Sequence, residues 1–183
     1  MSARERIRSA PPRGIVMTAS QGKPAPARFR VRAAAPEDLD AIDAIEAASF
    51  AADRFARRNL ARLLRRPTAA FLLAEEKNGA PAGYALLLFR KGAKAARLYS
   101  LAVSPVARGR GAARRLVDAA AALALKRGCG ALRLEVRESN RAARAMYEGA
   151  GFRARGRKPD YYVDGETALF MELRLDERER ATR

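Results

Sequence analysis

The sequence predicts one α/β (α+β) domain, a mixed, mostly antiparallel sheet of about seven strands flanked by about four helices. Three observations carry that expectation. The chain has 183 residues, 49% of them hydrophobic, which suffices for a single domain with a core of its own. Period-two apolar runs and amphipathic helical segments follow one another in the order β-α-α-β-β-β-α-β-α-β-β. The most apolar stretches, Ala82–Phe89 and Leu116–Leu125, fall far short of the roughly 20 residues that a membrane-spanning helix needs.

Residues 1–28 read as a basic, disordered tail, with Pro11, Pro12, Pro24 and Pro26 among small and basic residues and no apolar period. Met17 lies within it and would serve equally well as a start. The first residues lack the apolar block of a secretory signal, so the expected location is cytoplasmic. The domain is expected over residues 29–176, followed by a charged tail over 177–183.

Phe29–Ala33 alternates like a half-buried strand. Pro36-Glu37-Asp38 opens a helix, with proline in the first turn and acids at the positive end of the dipole. Leu39, Ile42, Ile45 and Phe50 continue it, and Phe55, Leu60, Leu63 and Leu64 mark a second amphipathic segment. Phe71–Glu75 and Ala82–Phe89 are strands joined by a turn at Asn78-Gly79. Ala96–Val103 is a long strand apolar on both sides, and is therefore expected at the centre of the sheet. Ala112–Lys126 is an alanine- and leucine-rich helix, Ala131–Arg137 a strand, and Arg141–Glu148 a helix stopped by Gly149-Ala150-Gly151. Phe152–Arg157 and Thr167–Arg174 complete the strands.

Composition narrows the chemistry. With no histidine and only Cys129, there is no internal disulfide, no cysteine cluster, no usual zinc site and no histidine-based triad. Acid–base work must fall to Glu, Asp, Tyr, Lys, Cys or water, and Cys129, after a helix end, reads as a packing residue. The net charge of +17 includes eight basic residues against Glu5 alone within Met1–Arg32. The rest is scattered and tryptophan is absent, a poor base-stacking platform, so weak, salt-sensitive attraction to acidic partners is expected rather than specific nucleic-acid binding.

Between the central strand and the long helix lies a loop with Arg108-Gly109-Arg110-Gly111-Ala112-Ala113. Its glycines permit a sharp turn that points backbone N–H groups into one concavity, and the following helix adds its unpaired first-turn donors. The physical product is a pyrophosphate cradle. A Walker loop needs Gly-Lys-Ser/Thr, which Ala112-Ala113 denies. A dinucleotide fingerprint needs a small residue where Arg114 stands. The pattern Arg/Gln-x-x-Gly-x-Gly/Ala does fit, although alone it is also compatible with a glycine-rich solvent loop.

Further on come Leu132-Arg-Leu-Glu-Val-Arg-Glu-Ser-Asn140, Ala145-Met146-Tyr147 and Gly151-Phe152. Together with the loop, these resemble the GNAT superfamily of N-acetyltransferases over roughly Phe29–Leu173. The Leu-Glu-Val-Arg wording, Tyr161-Tyr162 and Glu166 resemble its RimI-type branch, which acetylates ribosomal-protein N-termini. The resemblance implies a GNAT fold, acetyl-CoA as cosubstrate, no metal, and direct transfer to a primary amine in a ternary complex. Glu135 would be the general base, through a water, since an α-amine with a pKa near 8 must lose a proton before attack. Tyr147 would protonate the departing thiolate. Backbone groups of Leu101, Ala102 and Val103 would meet the cofactor, and Asn140 would both cap its helix and touch the CoA arm. The residue-level alternatives are a strand carboxylate paired with Arg133 or Arg137, and a core tyrosine.

The RimI-type Pro-Trp after the first helix is missing; Phe50-Ala51-Ala52-Asp53-Arg54 stands there. Phe50 would remain as an apolar wall, Asp53 would face a cationic acceptor, and Tyr161 and Tyr162 would clamp a peptide. The expected acceptor is a protein N-terminus, with ribosomal protein the implied partner; a lysine side chain, a small amine, or a non-catalytic CoA- or nucleic-acid-binding module are the alternatives. The resemblance leaves monomer and homodimer equally open.

Overall fold

A computed structural model describes residues 29–50 and 54–175. The basic tail, the charged C-terminal tail and Asp53 lie outside the described residues. The elements are β1 (Phe29–Ala33), α1 (Leu39–Ser49, entered through a 3-10 turn at Pro36–Asp38), α2 (Arg57–Leu64), β2 (Ala69–Glu76), β3 (Pro81–Leu88) and β4 (Ala95–Val103). After a second 3-10 turn at Pro105–Ala107 come α3 (Ala112–Lys126), β5 (Ala131–Arg137), α4 (Arg141–Gly149), β6 (Arg153–Lys158) and β7 (Ala168–Arg174). The predicted order holds throughout. Phe50 does not extend α1: its φ of −129° and ψ of 107° are those of extended backbone.

All seven strands form one sheet in the order β1-β2-β3-β4-β5-β7-β6, with β4 at its centre as its two-sided apolarity predicts. Only β4 and β5 run parallel, and α3 is the crossover that such a pair requires. Helices α1 and α2 cover one face over β2–β4, packing Ile42, Ile45, Leu60 and Leu63 on Phe71, Leu73, Tyr84 and Leu86. The other face packs α3 and α4 on the alternate residues, Leu72, Ala85, Leu87, Leu132, Leu134 and Val136. Gly83 is required by this packing: a Cβ there would lie 2.7 Å from the Ala102 carbonyl oxygen and 3.3 Å from Leu116.

A bulge in β4 sets up the site. Leu86 pairs with Ser100 but Leu87 pairs with Leu98, so Tyr99 is an extra residue. Parity flips there. Ala96 and Leu98 face the α3 core before the bulge, Leu101 and Val103 after it. Pairing of β4 with β5 is confined to Ala95–Arg97 against Ala131–Arg133. Beyond Arg97 the two strands part, and a gap opens in the middle of the sheet.

Candidate active site

The gap is lined on one side by Leu101, Ala102 and Val103, all buried. Their strand is laddered to β3, while the edge facing β5 has no ladder from that strand. Ser104 then donates to Ala82, and the turn at Pro105–Ala107 ends the strand. Gly109 (φ 70°) and Gly111 (φ 93°) take the left-handed conformation that glycine makes accessible, and Gly111 is the N-cap of α3. Ala112 and Ala113 bury their methyl groups in the core, so their main-chain N–H groups belong to the unpaired first turn of the helix. The two loop arginines have partners of their own. Arg108 donates from Nε to the Val103 carbonyl at 3.2 Å, and Arg110 donates to the Glu76 carboxylate at 2.6 Å, with Phe29 under its guanidinium. The arginine side chains thus fasten the loop to β2 and β4.

Glu135 stands on β5 just past the last residue paired with β4. Alternation sends Leu132, Leu134 and Val136 into the α3 core and Glu135 to the opposite face. Its side chain is 12% exposed and accepts a hydrogen bond from Arg97 Nε at 3.0 Å. Burial pushes its pKa above the ordinary carboxylate value, while the charge and hydrogen bond of Arg97 pull it partly back. The partner is thus Arg97, from a strand 38 residues earlier. Arg133 instead pairs with Glu172, and Arg137 with Asp164 and Glu166.

Tyr147 lies on α4 with no exposed surface, its ring edge-on to Phe152 at 5.3 Å. Its hydroxyl is buried and has no hydrogen-bond partner among the described residues. Burial, and secondarily the nearby Tyr162 phenol, push its pKa upward, so it is held as a protonated donor. Tyr162, only 5% exposed, also has an unpartnered buried hydroxyl among the described residues, as does Ser104, and the Tyr162 pKa is raised by burial and by Glu135 against the pull of Arg137. Arg137 lies 4.0 Å from the centre of its ring. Tyr161 is half-buried, stacks edge-on against Tyr162 and Phe170, and feels the charges of Glu135 and Arg97. The β6–β7 segment that carries both tyrosines is tied down by Glu166, which accepts from the Ser139 backbone at 3.0 Å and from Arg137 at 2.7 Å. Asn140 caps α4 through a bond from the Ala143 N–H at 3.0 Å.

The structure thus brings Glu135, Tyr147, Tyr161 and Tyr162 into one electrostatic neighbourhood, with the glycine loop at the other end of the gap. Tyr162 is not the exposed loop residue that its position suggests. Phe50 is not an open wall either: it is 5% exposed and packs among Ile45, Phe55 and Leu60. Two features escaped the sequence reading. One is Arg97, an arginine in an otherwise apolar central strand. The other is Glu46, fully buried, which accepts from the Phe55 backbone at 2.6 Å and from the Tyr84 hydroxyl. Its signal was its place on the apolar face of α1, between Ile42, Ile45 and Ser49. Among the described residues no group of His, Cys, Asp and Glu could hold a metal ion, and no helix is long and apolar enough to cross a membrane.

Known proteins resemble this chain in sequence and in fold. The family model described as the Acetyltransferase (GNAT) family matches residues 37–152. A Bacillus subtilis (strain 168) protein, provisionally named a ribosomal protein bS18-alanine N-acetyltransferase, is 33% identical over 142 residues, covering 77% of this chain and 92% of its own. The Escherichia coli (strain K12) ribosomal protein bS18-alanine N-acetyltransferase is 41% identical over 81 residues, 43% of this chain and 55% of that protein. The crystal structure of the ribosomal-protein-S18-alanine N-acetyltransferase from Escherichia coli superimposes with a TM-score of 0.71 at 29% identity, covering 80% of this chain and 94% of that one. A central sheet parted between β4 and β5, a glycine loop at the head of α3 and a matching family model agree with one another: the chain belongs to the GNAT family of acetyltransferases and is an acyltransferase.

Proposed function

We propose that this enzyme transfers acetyl from acetyl-CoA to the α-amine of a protein N-terminus, directly and within a ternary complex, and that it works in the cytoplasm on a ribosomal substrate. Acetyl-CoA is the family's acetyl source, and bound here it supplies a thioester. The residues present suit it. The positive-φ glycines and the first turn of α3 offer main-chain donors for a pyrophosphate, and the unladdered edge of Leu101-Ala102-Val103 offers them for an extended arm. Asn140, at the head of α4, would stand beside that arm.

Glu135 would draw the proton from the acceptor nitrogen, directly or through water, and burial has moved its pKa toward the range such a base needs. Tyr147 would hold its proton until a thiolate needs it, which its raised pKa favours. Tyr161 and Tyr162 would position the acceptor beside Glu135. The observation that carries the proposal is the buried, unpartnered Tyr147 hydroxyl near Tyr162, which in turn feels the charge of the buried Glu135 carboxylate. A buried phenol that makes no bond to the protein lowers stability, and completion by a ligand would account for its retention.

The choice of an α-amine is supported by the names of the relatives and by the Leu132-Arg-Leu-Glu-Val-Arg137 wording of β5. The test is CoA release with an Ala- or Ser-initiated peptide, an Nα-blocked lysine peptide and spermidine. The peptide with a free N-terminus is expected to be the fastest. Faster turnover of the blocked lysine peptide or of spermidine would overturn the α-amine reading, and no turnover with any amine would make the fold a binding module.

A further inference from the structure

The sheet is covered unequally. Helices α1 and α2 pack over β2–β4, and among the described residues no helix packs on the same face of β5, β7 and β6. There, Arg133, Glu135, Arg155, Phe170 and Glu172 line a cleft of about 430 Å³. It adjoins a second cleft, of about 760 Å³, that runs past Arg97 to Lys94. Glu135 belongs to both clefts, so they open directly on the proposed base.

The charges in this cleft do not balance. Arg97 occupies Glu135. Glu172 is bound by two guanidiniums, Arg133 at 2.7 Å and Arg155 at 3.0 Å, and cannot neutralise both. Their side chains are still 64% and 56% exposed, so each keeps N–H donors facing solvent. Lys94 adds a further cation at the far mouth. Arg133 is two residues from Glu135 on the same face of β5, about 7 Å along the strand. An extended peptide covers that distance in two residues. An acceptor whose terminal nitrogen meets Glu135 and whose chain follows β5 would bring its second to fourth residues to Arg133 and Arg155.

We propose that this cleft receives the residues following the acceptor's terminal amine and selects acidic ones there. The proposal rests on the α-amine reading above, and adds that the preferred N-termini carry Asp or Glu directly downstream. Guanidiniums favour such partners because two parallel N–H groups match a carboxylate.

The experiment compares three peptides that begin with Ala and share one C-terminal sequence, with Glu-Glu, Gln-Gln or Arg-Arg at positions two and three. The expected order of kcat/KM is acidic, then neutral, then basic, roughly three- to fivefold per charge in low salt, carried by KM and compressed in high salt. Reversing the arginines, Arg133→Glu with Arg155→Glu, should reverse the order. Because that change strands Glu172, the milder Arg133→Gln is measured beside it and should flatten the order, while Arg133→Lys should keep it. A wild-type enzyme that accepts all three peptides equally, or prefers the basic one, would overturn the acidic selection and leave the α-amine reading standing. If none of the three reacts while a blocked lysine peptide or spermidine does, both fall together.

Discussion

Tyr84, on β3, and Tyr147, on α4, are both fully buried, and their hydroxyls meet opposite fates. Under α1, the Tyr84 hydroxyl donates to Glu46 and shares a 3.0 Å bond with Ser100, while Glu46 also takes the Phe55 N–H. On α4, the Tyr147 hydroxyl bonds to nothing among the described residues, and neither does that of its neighbour Tyr162. Buried polar groups with partners hold a fold together, and those without them lower its stability. Under α1, the buried polar groups of Tyr84, Glu46 and Ser100 satisfy one another. Tyr147 and Tyr162 leave theirs unmet among the described residues, which suits the ligand site proposed there.

The comparison breaks first at Glu135. Glu135→Gln keeps the shape and the neighbours but cannot take a proton, so kcat should fall by about 10²–10⁴ while acetyl-CoA affinity, read by calorimetry, stays within about twofold. Unchanged turnover would remove Glu135 from the mechanism. The pH profile adds a sign. Because burial raises the Glu135 pKa, the acid limb of kcat/KM should lie above the ordinary glutamate value of about 4.3. Arg97 lowers that pKa, so Arg97→Gln should move the limb to higher pH. The same shift makes Glu135 a small stability liability at neutral pH. A carboxyl whose folded pKa is raised favours the folded state below its unfolded pKa, and that contribution is lost as pH rises through the folded value.

Next come the two tyrosines, where activity and stability should separate. Tyr147→Phe should lower kcat by roughly 10²-fold, with melting and acetyl-CoA affinity nearly unchanged, because the lost hydroxyl bonded to no residue described. Tyr84→Phe should do the reverse. It deprives buried Glu46 of a donor, which should cost about 1–3 kcal/mol in a denaturant titration, with kcat close to wild type. A large activity loss in Tyr84→Phe, or a large stability loss in Tyr147→Phe, would erase the distinction between the two tyrosines.

How much of this was legible depends on how local each cause is. The limits of α3 and β5, the left-handed Gly109 and Gly111 and the Asn140 cap follow from neighbours within a few residues, and all were read directly. The central place of β4 followed from its two apolar faces. The bulge at Tyr99 has no such marker, since no glycine announces it and only the register against β3 reveals it. Arg97 could be matched to Glu135 only once β4 and β5 were known to lie side by side. The inward turn of Phe50 and the burial of Tyr162 likewise come from packing by distant elements. Roles of side chains were therefore harder to read than their positions.

The smallest effects should come at the glycine loop, where the same contrast applies within a few residues. Arg110 already has partners: Glu76 holds its guanidinium, with side chains 34% and 27% exposed. The main chain at Gly111 does not, since it heads a helix whose first-turn N–H groups have no intrahelical acceptor. A Cβ at Gly111 would meet nothing within 4 Å, yet its φ of +93° disfavours any side chain. Gly111→Ala should therefore cost about 1–2 kcal/mol through backbone strain alone, and should weaken acetyl-CoA binding as the donors shift. Arg110→Gln removes a surface ion pair, so it should change stability by less than about 1 kcal/mol and cofactor affinity by about twofold or less. Calorimetric titration of both variants with acetyl-CoA would decide the point. A larger loss in Arg110→Gln would mean that side chains make the cradle, and that the ion pair with Glu76 gives way when the cofactor binds.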